Sequence, residues 1–189
     1  MRFLLLIFLM ASLFTACNET AIDKQYNEVK AKKEFNRADY ENEKQEILAL
    51  EDSLIGMVVD TKSKKLSQKL LSKSIKFADN YPNDTLSADF LFMAARAANG
   101  LGQYHNSIDL MNRIIRDYRL YDYLVEVYFL KAFTYDENLN DKAKAKNAYF
   151  ELMRKFPNDP LAEQSQLMLD NLYLTDEELI EKYKSEQKD

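Results

Sequence analysis

The chain has 189 residues, a formal net charge of −5 at pH 7, and only three glycines and three prolines. That length suits one ordinary domain. The scarcity of helix-breaking residues, together with abundant Ala, Leu, Lys and Glu, predicts a mostly helical chain. A mildly acidic surface of mixed sign argues against nucleic acid as a partner, because nucleic-acid-binding domains concentrate lysine and arginine on one face.

The amino terminus reads MRFLLLIFLMASLFTAC. The apolar run from Phe3 to Phe14 has the length of a signal-peptide core and is well short of the roughly 20 residues that a membrane-spanning helix needs. Arg2 precedes the run, and small residues precede Cys17, the single cysteine, which can form no internal disulfide. The pattern predicts a signal peptide over residues 1–16. A secreted protein with a free thiol and an uncleaved anchor are the alternatives.

The stretch that ends at Cys17 resembles the lipobox of bacterial lipoproteins, with Phe14 where that motif most often has leucine. The resemblance implies that the Cys17 thiol carries diacylglycerol and that the new amino group often takes a third acyl chain. Two or more chains give stable membrane attachment. Residues 17–40 are polar, with little apolar periodicity, and are predicted to form a tether or a marginal helix between the lipid and the domain.

An internal repeat occupies the rest of the chain, residues 41–189. YPNDTLSA at Tyr81 returns as FPNDPLAE at Phe156, 75 residues later, and Tyr118 holds the equivalent position between them. Repeats of this length indicate paired helices. The sequence predicts helical hairpins at about 41–80, 84–118 and 121–156, followed by capping helices at 159–187.

Apolar and small residues recur at helical spacing within these hairpins. In the first hairpin the predicted stripe includes Ile47, Leu50, Leu54 and Val58, followed by Leu66, Leu70, Ile75 and Phe77. In the second hairpin it comprises Leu86, Phe90, Leu91, Ala94, Ala95, Ala98, Tyr104, Ile108, Met111, Ile114, Ile115 and Tyr118. In the third it comprises Leu124, Tyr128, Ala132, Tyr135, Ala145, Ala148, Tyr149, Leu152 and Phe156.

Helix ends are marked by capping and turn residues. Asp84 is an N-cap candidate, Asp159 precedes Pro160 at a first helical position, and Thr175 with Glu178 forms a capping box. Gly100 and Gly102 end the first helix of the second hairpin. The third hairpin is one residue longer, and the extra residue is predicted in its polar turn, Glu137 to Asp141.

The third hairpin resembles the tetratricopeptide repeat (TPR) at the positions of Tyr128, Ala132, Tyr135, Ala145, Tyr149 and Pro157; Leu91, Ala95 and Ala98 match more weakly. With the lipobox, the chain is similar to small TPR lipoproteins of Bacteroidetes-type envelopes and, distantly, to the TPR lipoprotein of the outer-membrane β-barrel assembly machinery. The resemblance implies an all-α fold, a TPR-like α-solenoid of about three helical hairpins plus a C-terminal capping helix pair. Only Glu19 follows Cys17 closely, rather than the acidic run associated with surface export in that phylum. An outer-membrane anchor facing the periplasm is therefore expected.

In the TPR family the first helices of successive hairpins line a concave groove that contacts peptides of partner proteins. Transferring that pattern position by position selects eight residues of this chain. Their phenylalanine rings would supply apolar contact area, and their charged groups would orient the bound peptide. A phase error of one residue would instead bury Phe92 and Phe129 in the core. The eight groove positions are Asp89, Phe92, Arg96, Asn99, Glu126, Phe129, Phe133 and Asp136.

These features predict an adaptor that is lipid-anchored through Cys17 and binds a segment of another envelope protein, in outer-membrane protein assembly or transport. A repeat lipoprotein that self-associates and takes no peptide ligand is the alternative. The only histidine, His105, is interpreted as a surface residue, and the usual nucleophile arrangements lack their parts. We therefore predict no enzymatic activity, no cofactor and no metal site. Ser53 and Thr85 also match a short O-glycosylation pattern of that phylum.

Overall fold

The computed structural model describes residues 36–186 and shows helices joined by turns, without a β-strand in that range. The all-α prediction is confirmed. The helices are α1 (Arg37–Leu54), α2 (Thr61–Asn80), α3 (Leu86–Gly100), α4 (Tyr104–Asp117), α5 (Leu124–Phe133), a π-helical turn (Thr134–Asn138), α6 (Lys142–Lys155), α7 (Pro160–Asn171) and α8 (Asp176–Glu186). The predicted signal peptide and Cys17 lie outside the described residues. Within them, no helix has the length and apolar character needed to cross a membrane.

The chain divides into two compact units, Met1–Asn42 and Glu43–Asp189, and the packing described below lies within the second. Each helix from α2 to α6 packs against the next one along the chain, and α5 also contacts α7. Sequential packing of this kind is typical of stacked helical hairpins. Two ion pairs connect α1 to α2, from Lys73 to Glu46 at 2.8 Å and from Lys76 to Glu43 at 2.9 Å. The second unit is therefore solenoid-like.

The core consists largely of the residues that the helical periodicity selects. Apolar side chains from facing helices are removed from water together, which supplies most of the stabilisation of such a fold. Leu110 and Val127 are also buried, although the stripes did not include them. The predicted positions that are buried are Ile47, Leu70, Phe77, Phe90, Leu91, Ala94, Ala95, Ala98, Ile108, Met111, Ile114, Tyr128, Ala132, Ala145, Ala148, Tyr149 and Leu152.

Val58 is a correction to the predicted core. It is 82% exposed, because α1 ends at Leu54 and the chain turns before reaching it. Gly56 follows the helix with φ of 73°, a left-handed conformation that glycine adopts without steric cost. The sequence periodicity continued across this turn and gave no sign that the helix had ended.

The predicted caps are present. An Asp84 carboxylate oxygen accepts a hydrogen bond from the Leu86 amide at 2.9 Å, and Asp159 accepts one from Leu161 at 2.8 Å. Thr175 and Glu178 bond reciprocally, amide to side chain, at 2.8 and 3.3 Å. Each cap satisfies amide groups that the first turn of a helix leaves unpaired.

Gly102 closes α3 with the backbone pattern of a Schellman motif. Its φ is 74°, its amide donates to the Asn99 carbonyl at 2.9 Å, and the Gln103 amide donates to the Ala98 carbonyl at 2.8 Å. Gly100, two residues earlier, has ordinary helical geometry and open space around its Cα. The two glycines therefore have different conformational requirements.

This difference gives a matched pair of variants. Gly102→Ala is expected to lower the free energy of unfolding by about 1 kcal/mol, because alanine resists the left-handed conformation. Gly100→Ala is expected to raise it by about 0.5 to 1 kcal/mol, because alanine is the better helix former and meets no neighbour. Urea denaturation of both variants measures the two effects. Equal changes of the same sign would contradict the assigned turn.

The extra residue of the third hairpin is accommodated inside the helix and not in the polar turn, which corrects the prediction. Thr134 to Asn138 form a π-helical turn, in which the Leu139 amide donates to the Thr134 carbonyl at 3.1 Å. The chain then reverses at Asn140. Its φ of 49° is left-handed, like that of Gly102 at the equivalent turn of the second hairpin. A π-helical turn takes one more residue than an α-helical turn, so residues beyond Phe133 face different directions from those the α-helical spacing predicts.

Small side chains allow the helices of the second and third hairpins to approach closely. Ala95 and Ala132 are fully buried, and the Ser107 hydroxyl of α4 donates to the Ala95 carbonyl of α3 at 2.8 Å. Replacing either alanine with leucine is expected to destabilise the fold by about 1 to 3 kcal/mol through overpacking. Ala49→Leu on α1, at an exposed position, is the control, with an effect within about 0.5 kcal/mol. Thermal unfolding measures all three, and unchanged melting of both core variants would contradict the assigned helix phase.

Candidate protein-binding groove

A pocket of about 310 Å³ lies between α1, α2 and α3. Its lining is mixed, with apolar side chains from all three helices and a charged group from each of α1 and α3. Clefts with apolar linings and a few polar groups are the usual places where ligands and peptide side chains bind. The lining residues are Glu51, Leu54, Ile55, Ser67, Leu70, Met93, Arg96 and Ala97.

Arg96 is the one predicted groove residue that lines this pocket. Its side chain is exposed, and its neighbours on α3 at the pocket are Met93 and Ala97. Glu51 contributes a carboxylate from α1. A guanidinium group offers five donors in a planar fork that matches a carboxylate or a row of backbone carbonyls. The pocket can therefore hold an apolar side chain while Arg96 and Glu51 bind polar groups beside it.

Asp89 and Phe92 contact the next hairpin. The Tyr121 hydroxyl donates to Asp89 Oδ1 at 3.0 Å, and the Tyr121 ring meets the Phe92 ring edge to face at 6.3 Å. Burial, followed by the Asp89 carboxylate, raises the pKa of Tyr121, so its hydroxyl remains a donor. Asp89 and Phe92 therefore connect α3 to the segment that leads into α5.

Asn99 makes a second connection, at the opposite end of α3. Its side-chain amide donates to Thr134 Oγ1 at 2.8 Å and to Asn138 Oδ1 at 3.4 Å. Thr134 is fully buried, and its hydroxyl donates in turn to the Leu130 carbonyl at 2.7 Å. Asn99 thus binds the π-helical turn of the following hairpin.

Asp136 is buried, with 3% of its surface exposed, although the sequence placed it in the groove. Lys142 Nζ lies 2.6 Å from Asp136 Oδ1, and the Tyr149 hydroxyl donates to Oδ2 at 3.3 Å. The π-helical turn is the reason, because it turns Asp136 inward toward α6 and leaves Glu137 exposed. Burial and the Asp136 carboxylate together raise the pKa of Tyr149. The Asp136 carboxylate is therefore occupied within the fold.

The remaining three predicted residues lie along α5 and are half-buried. The ring centroid of Phe129 lies 6.2 Å from that of Tyr149. It lies 6.4 Å from that of Phe133, on which the Phe129 ring stacks with an interplanar angle of 22°. The Oε2 atom of Glu126 is buried and has no hydrogen-bond partner within residues 36–186. A buried acceptor without a partner is costly, so a donor arriving at Glu126 would bind favourably.

The structure therefore does not bring the eight predicted residues into one site. The sequence prediction missed the pocket residues Met93 and Ala97. It assigned the groove to the face of α3 that carries Phe92 and Asn99, and that face contacts the next hairpin. Met93 lies three residues before Arg96, so helical spacing could have selected it, whereas Ala97 follows Arg96 directly and shares a face with Met93, four residues earlier. The contributions of α1 and α2 could not be found this way, because they depend on how the helices pack.

A larger cavity, of about 800 Å³, lies at the loop between α4 and α5. Asp89 lines it together with the aromatic rings of Tyr118, Tyr121 and Tyr123. Arg116, another lining residue, forms two hydrogen bonds with the adjacent Asp117 at 2.8 and 2.9 Å. Arg119 and Asp122 also line this cavity, so charged groups stand beside its aromatic rings as well.

His105, the single histidine, is exposed at the start of α4. Within the described part of the chain, no group of three or more His, Cys, Asp or Glu side chains is placed to hold a metal ion.

No family model, curated protein sequence or solved structure matches this chain.

Proposed function

We propose that this chain is a lipid-anchored TPR adaptor that binds a segment of another envelope protein in the pocket between α1, α2 and α3. Its place is the periplasmic face of a bacterial outer membrane, in outer-membrane protein assembly or transport. The observation that carries the proposal is the exposed Arg96 at a pocket that combines apolar and charged side chains from α1, α2 and α3.

The arrangement of the hairpins supports a TPR assignment. Repeats 37 and 38 residues apart fold as successive helix pairs, and the alanines at the TPR-like positions, Ala95, Ala132 and Ala145, are fully buried. In such arrays each hairpin contacts mainly its neighbours, which leaves an extended face for partners. A short peptide segment with an apolar anchor side chain and a nearby carboxylate would fit the apolar lining residues and Arg96.

The lipid anchor is proposed from the lipobox-like sequence that ends at Cys17. Mass spectrometry of the amino-terminal peptide from native membranes tests it directly. We expect a chain that begins at Cys17 and carries two or three acyl chains, and a Cys17→Ser variant that is not acylated. A chain that retains residues 1–16 in the native envelope would contradict the anchor.

Affinity capture after crosslinking in the native envelope tests the groove. An Arg96→Glu variant reverses the charge at the pocket without removing core contacts, since the side chain is exposed. We expect at least a tenfold loss of one abundant partner, because hydrogen bonds to charged groups contribute about 1.5 to 3 kcal/mol. Arg154→Glu makes the same charge change at an exposed position on α6 and is expected to keep that partner.

Self-association through the carboxyl-terminal helices is the second candidate function. Terminal repeats ordinarily present a polar face, yet Leu167 is 57% exposed, Tyr173 67% and Ile180 52%. Sedimentation at increasing concentration tests it. A dimer that a Leu167→Glu and Ile180→Glu double variant dissociates, with partner capture unaffected by Arg96→Glu, would favour the structural function over the adaptor.

A further inference from the structure

The loop between α1 and α2, residues 55–60, exposes apolar side chains. Ile55 is 74% exposed, Val58 82% and Val59 77%. Connections between helices usually carry polar or turn-forming residues, and adjacent exposed apolar side chains mark interaction sites. Only Ile55 also contributes to the pocket at Arg96, so the two valines have no part in the groove described above.

Hydrogen bonds order both ends of this loop. At its start the Met57 amide donates to the Leu54 carbonyl at 3.2 Å, and Gly56 supplies the left-handed turn. At its end Asp60 and Ser63 form a capping box, with amide-to-side-chain bonds of 2.7 and 2.8 Å. The valines are therefore presented to solvent by a backbone whose ends are fixed.

Lysines follow the loop in the first turns of α2. Lys62, Lys64 and Lys65 are exposed, and no ion pair to any of them is found within residues 36–186. The start of a helix favours acidic side chains, yet the first turn of α2 has none. Asp60 caps the helix, and its hydrogen bonds to Ser63, followed by its attraction to Lys62, lower its pKa. The cationic cluster is therefore not neutralised by α2 itself.

We propose that this loop docks on the surface of an anionic phospholipid bilayer. Val58 and Val59 enter the boundary between headgroups and acyl chains, and the three lysines contact lipid phosphates. Apolar side chains beside a cluster of lysines are the combination that binds anionic membrane surfaces, since burial and charge attraction act together. The contact is separate from the groove and requires no partner protein. It would fix the orientation of the domain on the membrane.

A single-tryptophan probe tests the contact, because the chain contains no tryptophan. Val58→Trp in the full chain places the probe in the loop, and Leu120→Trp, in the exposed loop between α4 and α5, is the matched control. With phosphatidylglycerol and phosphatidylethanolamine vesicles, we expect blue-shifted Val58→Trp emission that brominated acyl chains quench. Leu120→Trp is expected to keep its emission in water.

The lysines are tested in the Val58→Trp background. Changing Lys62, Lys64 and Lys65 to glutamine is expected to weaken loop binding roughly 100-fold, because each lysine near an anionic surface contributes roughly fivefold, or about 1 kcal/mol. Changing Lys144, Lys146 and Lys155 on α6 to glutamine makes the same change in net charge and is expected to leave the quenching intact. Salt of about 1 M, which screens charges beyond roughly 3 Å, is expected to act like the loop lysine variant.

Unquenched Val58→Trp emission in chains that sediment with the vesicles would overturn the proposal, since the chain would then be bound through another segment. A blue shift that appears only when envelope proteins are added, without lipid, would assign the loop to a protein partner and also overturn it. Capture of a partner through Arg96 does not involve Val58. Failure of lipid docking and failure of the adaptor function are therefore distinguishable.

Discussion

Phe77→Ala is expected to lower the free energy of unfolding by about 3 to 5 kcal/mol, the largest effect that we predict for a single substitution. Phe77 is fully buried on α2, and its ring centroid lies 4.7 Å from the ring centroids of both Tyr81 and Phe90. Removing the ring leaves a cavity between the first and second hairpins and abolishes an edge-to-face contact with α3. Because the free energy of unfolding of a domain is only about 5 to 15 kcal/mol, such a loss is a large part of the total stability.

Urea denaturation measures this effect, provided that the unfolding free energy of parent and variant depends equally steeply on urea concentration. Phe77→Leu is expected to cost less than half as much, because most of the volume is kept. Phe150→Ala on α6 removes the same ring from a position that is 49% exposed and is expected to change stability by less than about 1 kcal/mol. If Phe77→Ala and Phe150→Ala were equally stable, the packing of α2 on α3 would be contradicted.

Lys142→Met is expected to destabilise the fold by about 2 to 4 kcal/mol. The substitution leaves the Asp136 carboxylate, whose side chain is 4% exposed, without its cation. A buried charge that loses its partner typically costs 3 to 5 kcal/mol. The expected value is lower because the Lys142 side chain is 37% exposed and solvent screens part of the interaction.

Two further variants isolate this pair. Lys144→Met breaks an exposed ion pair with Asp141, in which Lys144 Nζ lies 2.7 Å from Asp141 Oδ2, and is expected to cost much less than Lys142→Met because solvent screens the pair. The double variant Asp136→Leu with Lys142→Met removes both charges and is expected to recover part of the stability lost in Lys142→Met. Equal effects of Lys142→Met and Lys144→Met would show that Asp136 is not buried as described.

Helical periodicity predicted most of the core, because a buried stripe must recur about every 3.6 residues whatever the rest of the fold does. The caps followed from Asp84, Asp159 and Thr175, since short polar side chains bond the first amides of a helix locally. Turn geometry depends on interactions that periodicity does not describe. Val58 therefore fell outside its predicted helix, and Asp136 turned inward at a π-helical turn.

The groove prediction failed in part for a different physical reason. Asp89, Phe92 and Asn99 do occupy a face of α3 that the core of their own hairpin leaves free. The following hairpin covers that face through Tyr121 and Thr134. Periodicity within one helix cannot distinguish a face covered by a neighbouring repeat from a face open to a partner. The pocket at Arg96 became visible only when the helices were packed together.

Site-specific photo-crosslinking at Met93 tests the adaptor proposal most directly. A photoreactive residue at Met93 lies in the pocket lining, whereas the same residue at exposed Asp109 on α4 is the control on the second helix of that hairpin. In the native envelope we expect one predominant crosslinked protein from Met93, none from Asp109, and loss of that product when Arg96→Glu is added. The same product from both positions, or no product from Met93 in a folded chain, would contradict binding in this groove.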